Sequence, residues 1–258
     1  MMDIKYVIAN IFFFVLIVPP LVLNFVLVEK GVTSGLTFLL GEAAPTTLSP
    51  YACKLIITIA LFFAYEIAYW TDHYCAHKIP FLWEFHKVHH SATVLTPFTN
   101  WRVHPIDTAV FFNFVAFFSA IAHGITNYLL NQAHNPVSMV EANAILLVYF
   151  YLYGHLQHSQ VWMSFSGKAG YLFMSPAHHQ IHHSNDPIHY DKNFGGSLAL
   201  FDWLFGTLHR PSAKREALTF GVDRGMHLQA FLPSVIYPCF YGMRALLRWR
   251  PFRRRRQR

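Results

Sequence analysis

The chain has 258 residues, of which 54% are hydrophobic, 17% aromatic and only 13% charged. A soluble domain carries about 25% charged residues, so this composition excludes a water-covered globule and points to a single-domain integral membrane protein spanning residues 1–258. Much of the net charge of +7 lies in the tail formed by Arg248, Arg250, Arg253, Arg254, Arg255, Arg256 and Arg258. Beside an apolar segment such a tail contacts anionic lipid headgroups and helps set topology, so no nucleic-acid partner is implied. Cys53, Cys75 and Cys239 are too widely spaced to form a disulfide framework.

Residues 6–28 form an apolar run of spanning length, with Pro19-Pro20 expected to kink it. The run is too long for a signal peptide and lacks a small-residue cleavage site close behind it. Residues 31–50 are richer in Gly, Thr, Ser and Pro and read as a loop. A second span is expected over 53–70, ending at the interfacial pair Tyr69-Trp70, a third over 106–124 and a fourth over 140–154. The last apolar stretch, 229–247, is interrupted by Pro233 and Pro238 and reads as interfacial or re-entrant. Lys78, Lys87 and Arg102 lie between the second and third spans, and Lys168, Lys192, Arg210, Lys214, Arg215 and Arg224 follow the fourth. The connection 125–139 carries no Lys or Arg. The positive-inside rule then puts both termini inside. The expected fold is all-α, a four-helix transmembrane bundle with a cytosolic histidine-rich helical cap, in a bacterial inner membrane or the endoplasmic reticulum.

The histidines organise this cap. His178, His179, His182 and His183 fall within six residues, and on a helix His179 meets His182 and His183 at i+3 and i+4. The same H-x-x-H-H spacing recurs at His86, His89 and His90. An i, i+4 pair, His73 and His77, precedes it, and His155 and His158 follow the fourth span. Neutral imidazoles converging on a point are what a transition metal takes. Ten boxed histidines exceed the four ligands of zinc or the roughly six of iron, so two ions are the economical solution. Spacing alone leaves iron and zinc both open. Metal-bound histidines donate their other N–H to an acceptor, and Asp72, Glu84, Asp186, Asp191 and Asp202 are the candidates. A two-metal hydrolase suits a polar substrate; a site at the end of an apolar bundle suits attack on a lipid C–H bond, with a redox metal and O2. The competing reading is a histidine-rich membrane metal-binding or metal-transport protein, which should carry ligands at mid-membrane; the spans 6–28 and 53–70 hold no histidine. A haem cytochrome would not need so many boxed histidines.

Flanking residues carry a resemblance: F-H-K-V-H-H-S at 85–91, L-T-P-F-T-N-W-R-V-H-P at 95–105 and D-K-N-F-G-G-S-L-A-L-F-D-W-L-F-G-T at 191–207, with the three boxes in order. Over about residues 60–210 the chain resembles the membrane fatty acid hydroxylase and sterol desaturase superfamily, nearest its bacterial sterol-desaturase-like and alkylglycerol-monooxygenase-like branches. The resemblance implies a membrane bundle with a histidine cap and a non-haem di-iron centre. It implies hydroxylation or desaturation of a lipid with O2, and electrons from a separate donor, cytochrome b5 or a ferredoxin-type protein with its reductase. By position it implies His73, His77, His86, His89, His90, His158, His179, His182 and His183 as ligands, with His155 as an alternative or additional one, and His104 in a structural or supporting role. His178 falls outside the box register, and His123, His134, His189, His209 and His227 are expected to be satisfied structural histidines. Sterols, fatty acyl chains, alkylglycerol ethers and carotenoids all remain open as substrates.

Overall fold

The computed structural model describes residues 2–13, 23–131, 144–222 and 228–248. It is mostly helical, and the described residues hold no β-strand beyond two isolated bridges, Phe173 with Leu198 and Ser184 with Phe220. The longer helices are α1 (Met2–Phe12), α2 (Phe25–Leu40), α3 (Pro50–Lys78), α4 (Pro80–His90) and α5 (Pro105–Leu130). Shorter pieces follow: α6 (Ala144–Tyr149), α7 (Pro176–His182) and α8 (Leu200–Phe205), before the long closing helix α9 (Phe231–Arg248).

The starts of α3, α4 and α5 follow from local sequence signals. Ser49 accepts from Ala52 N and Pro50 takes the first turn of α3, where a missing N–H costs nothing. Pro80 ends α3 and opens α4, so the chain reverses at Ile79 instead of extending further. His104 caps α5 through Nδ1, which accepts from Ile106 N at 3.1 Å, while its Nε2 donates to Val235 O at 2.9 Å and ties α9 to the same corner. α5 lies between α3 and α2, and α9 packs on α4. Gly124 permits the close approach of α2: a Cβ there would come within 2.8 Å of Glu29 O and 2.9 Å of Val32.

α3 and α5 are long and apolar enough to cross a membrane, and only 28% of each apolar window is buried within the protein. An outward-facing apolar helix is the reverse of a soluble core helix and fits a membrane protein. The other two expected spans, 6–28 and 140–154, each extend into residues outside the described ones. Among the described residues α3 and α5 alone meet that length and hydropathy, so a four-helix transmembrane bundle is not what they show. The run 6–28 is broken, because Asn24 has extended backbone and caps a new helix. Its first part, α1, is fastened to the polar side of the molecule: Asp3 accepts from Arg102 and Thr99, and the Tyr6 hydroxyl bonds Ser234 Oγ at 2.8 Å. Periodicity alone could not reveal that Asp3 ties this apolar helix to Thr99 and Arg102. Residues 31–40, expected as loop, continue α2, since Gly31 and Gly35 are tolerated in a helix whose neighbours are apolar. Pro19-Pro20, His134, His227 and residues 140–143 of the fourth expected span lie outside the described residues, as does the tail beyond Arg248. Most of the last apolar stretch lies in α9, Phe231–Arg248, with Pro238 inside it.

Candidate metal centre

Nine of the boxed histidines converge in two groups, His73, His77, His86, His90 and His182 in one and His89, His158, His179 and His183 in the other. Within each group the potential ligand atoms all lie within 4.8 Å of one another. α3 carries His73 and His77 on successive turns at its end, and the reversal at Ile79-Pro80 folds α4 back against them. Each H-x-x-H-H box then divides. His86 and His90 join the first group and His89 the second, while His182 joins the first and His179 and His183 the second. His158 arrives from another direction, after a π-helical turn at Phe150–Gly154 and the single turn His155–Gln157.

Proton placement decides what these rings offer. His182 Nδ1 lies 2.7 Å from Lys192 O, and His73 Nδ1 lies 2.9 Å from Phe194 O. A carbonyl oxygen only accepts, so both rings carry their proton on Nδ1 and present a bare lone pair at Nε2. His86 Nδ1 meets Asp107 Oδ2 at 3.0 Å, which has the same effect. His182 Nε2 nevertheless lies 3.1 Å from His90 Nε2, which is 3.2 Å from His77 Nε2. In the second group His158 Nε2 sits 3.0 Å from His179 Nε2, 3.0 Å from His183 Nε2 and 3.1 Å from His89 Nε2. One proton serves at most one of three such contacts. The remaining lone pairs face each other, an arrangement that a cation between them would make favourable. Burial, reinforced by neighbouring imidazoles, holds His89, His90, His179 and His183 well below the usual histidine range. Burial also takes His158 and His182 down to about 3. These six rings are therefore neutral at physiological pH, which is the ligating form.

A polar scaffold holds the acceptor carbonyls in place. Glu66, fully buried on α3, accepts from Ser197 N at 3.0 Å, Ser197 Oγ at 2.6 Å and Leu198 N at 2.8 Å. Asp202, equally buried, accepts from Phe194 N at 2.9 Å, Gly195 N at 2.7 Å and Trp70 Nε1 at 3.2 Å, and so fixes the loop that offers Phe194 O to His73. Gly195 is required there, because a Cβ would come within 2.1 Å of Leu198 O. Asn193, at φ 58 and wholly buried, donates to His178 O and His209 O and accepts from His209 N.

The other candidates fall into place around this core. His155 is exposed and joins neither group; the chain turns at 155–158 so that His158 alone faces inward. His178 serves Ser175 as a capping box, its Nδ1 accepting from Ser175 N. Asp186 caps the turn Pro187–His189, Asp191 pairs with Lys78, and Glu84 pairs with Lys87. Asp107 and Glu66 escaped the sequence reading, although each is the one charged residue in its apolar run, 106–124 and 55–70. A lone acid within such a run is itself a signal of a buried partner.

A cavity of about 240 Å³ opens against both histidine groups. Tyr65, Tyr69, Phe111 and Phe112 wall it between α3 and α5, and His73, His86, His89 and His158 form its floor. Asp72 and Asn10 also line it, and Asp72 Oδ1 and Asn10 Oδ1 are buried there without a hydrogen-bond donor. A second cavity, about 450 Å³, reaches His77, His90, His182 and His183 from a polar side bearing Lys78 and Asp191.

A family model described as fatty acid hydroxylase matches residues 58–207, which contain every histidine of both groups. The chain is 29% identical over 187 residues to an ornithine lipid hydroxylase of Rhizobium tropici, covering 71% of this chain and 51% of that protein. It is 28% identical over 150 residues to an alkylglycerol monooxygenase of Caenorhabditis elegans, covering 57% of this chain and 26% of that one. An Arabidopsis thaliana protein named for Delta(7)-sterol-C5(6) desaturation is 25% identical over 174 residues, 65% of this chain and 53% of its own length. The chain thus spans about half, or less, of the length of these relatives. No solved structure gives a significant match.

Proposed function

The chain belongs to the fatty acid hydroxylase family, and on that premise we propose that it is a membrane-bound di-iron oxygenase that hydroxylates or desaturates a lipid. The observation that carries this reading is the convergence of nine imidazoles in two groups, with His73, His86, His89 and His158 among them lining an aromatic-walled cavity. His73, His77, His86, His90 and His182 would hold one iron, and His89, His158, His179 and His183 the other. Bound iron supplies the redox chemistry for O2-dependent attack on an unactivated C–H bond, with electrons from a separate donor. Everything else falls to the polypeptide. Asp107, Phe194 O and Lys192 O keep the protons of His86, His73 and His182 on Nδ1, so that Nε2 stays free to ligate. Tyr65, Tyr69, Phe111 and Phe112 line up an apolar chain and exclude water beside the reacting carbon. Asp72 Oδ1 and Asn10 Oδ1, buried and lacking donors, accept from a polar group of the substrate or from ordered water.

The outward apolar faces of α3 and α5 support entry of the lipid from the bilayer, with the histidine cap at the cytosolic surface. The relatives' names make ornithine lipids and alkylglycerols the first substrates to assay. Detergent-purified protein should hold two irons per chain in the histidine groups and consume O2 with such a lipid and a reductant. His89→Ala or His182→Ala should abolish turnover while membrane insertion persists, and His155→Ala should leave turnover intact. Unchanged turnover in both of the first two variants would overturn the assignment.

A further inference from the structure

We propose that His189, His209 and Glu216 form a third divalent-metal site, for a zinc-class ion, separate from the two histidine groups. Their potential ligand atoms lie within 4.8 Å of one another and share no residue with either group. The His189 and His209 rings stand edge to face at 5.0 Å between centroids, and His189 Nε2 is 3.8 Å from Glu216 Oε2. A zinc ion bonds nitrogen at about 2.0–2.1 Å and carboxylate oxygen at about 2.0–2.2 Å. Modest side-chain rotation would bring the three donors to that reach.

The independent observation is His189 itself. As a structural histidine it should have its nitrogens satisfied. It is only 4% exposed, and neither Nδ1 nor Nε2 has a hydrogen-bond partner. Burying both nitrogens without a hydrogen bond gives up their hydration, for which the 3.8 Å approach of Glu216 is only a partial return. A cation in front of Nε2 would complete it.

The surrounding structure holds all three donors without using their ligating atoms. Asp186 caps the turn Pro187–His189 through Ile188 N at 3.0 Å, and its carbonyl accepts from His189 N at 3.0 Å. Asn193 clamps the backbone of His209 on both sides, at 2.7 Å and 2.8 Å. Glu216 Oε1 accepts from Ser212 N at 3.1 Å, which leaves Oε2 turned toward His189. His209 and Glu216 are partly exposed, so a fourth, water ligand and an entry path are both available. Two imidazoles and one carboxylate suit zinc or a neighbouring first-row ion better than calcium or magnesium. Occupied, the site would tie the turn that follows the third box to the 209–216 segment. Asn193 continues that tie to His178 O, next to His179.

The proposal does not depend on the oxygenase reading, and one experiment separates them. Full-length protein in detergent is exposed to Zn²⁺, desalted, and its zinc and iron per chain are measured by mass spectrometry. Wild type should retain one metal equivalent more than His189→Ala/His209→Ala, with the equivalents of the two histidine groups unchanged. Its thermal midpoint should rise with Zn²⁺, and that of the double variant should not. Glu216→Gln, a near-isosteric change at a part-exposed position, keeps the test open should the double variant fail to fold; it should weaken zinc binding by at least about tenfold. His89→Ala should lose metal from its own group and keep the third equivalent. Equal metal content in wild type and the double variant, or unaltered zinc affinity in Glu216→Gln, would mean non-specific surface zinc only and would overturn the proposal.

Discussion

Replacing Asp107 by alanine tests whether the imidazoles are held ready for a metal. Asp107 Oδ2 lies 3.0 Å from His86 Nδ1, and both side chains are about nine-tenths buried. No other partner of that nitrogen would take over, so in the variant the His86 proton is free to move to Nε2, the atom that faces the other rings of its group. Partners of this kind are worth about 10–100-fold in metal affinity, or about 1.4–2.8 kcal/mol at roughly 1.4 kcal/mol per decade. That range agrees with the worth of a hydrogen bond to a charged group, about 1.5–3 kcal/mol. A smaller part of the effect is structural, because Asp107 stands in the first turn of α5, where a negative charge contributes about 0.3–1 kcal/mol. Asp107→Asn separates the two, since it keeps an acceptor oxygen of nearly the same shape and loses the charge. Chelator competition on detergent-purified protein, with a thermal melt alongside, should show one of the two metals released at a chelator concentration about 10–100-fold lower in Asp107→Ala. The asparagine variant should fall in between, and the metal of the His89 group should be retained. Two metals of unaltered affinity in Asp107→Ala would refute the reasoning.

Asn193→Ala leaves His178 O, His209 O and His209 N without their side-chain partner and puts a Cβ-bearing non-polar residue at φ 58; at about 1–3 kcal/mol per buried orphan it should unfold the cap, seen as lost expression or a melt lowered beyond that of Asn193→Gly, and equal melts would show that φ contributes nothing. For the metal-stripped protein, the folded values of His158 and His182 at about 3, and of His178 at about 4, lie below the ordinary 6.5. The unfolded chain therefore takes up protons that the folded chain refuses, so stability present above pH 6.5 is lost as pH falls toward 3–4, at about 1.4 kcal/mol per pH unit per group. Denaturant melts of chelated protein from about pH 7.5 down to about pH 5 check this; a flat profile would contradict the burial of neutral rings.

Local periodicity carried a great deal. The i, i+3, i+4 spacing of the boxes, the apolar runs around 53–70 and 106–124 and the deficit of charge were enough to indicate helices, a membrane setting and a multi-histidine site. These are properties of neighbours along the chain, and a helix converts such spacing into shared faces without help from the rest of the molecule. The division of each H-x-x-H-H box between two groups required the reversal at Ile79-Pro80 and the inward turn at His158. So did the choice of His158 over His155. Two of the acceptors that orient the rings, Phe194 O and Lys192 O, are backbone carbonyls, which every residue possesses and no sequence marks. The contact of α1 with the 99–102 segment depends on Asp3 meeting Arg102 from opposite ends of the first hundred residues. Which groups meet across such separations depends on how helices pack, and packing sums many weak contacts that no single stretch of sequence contains.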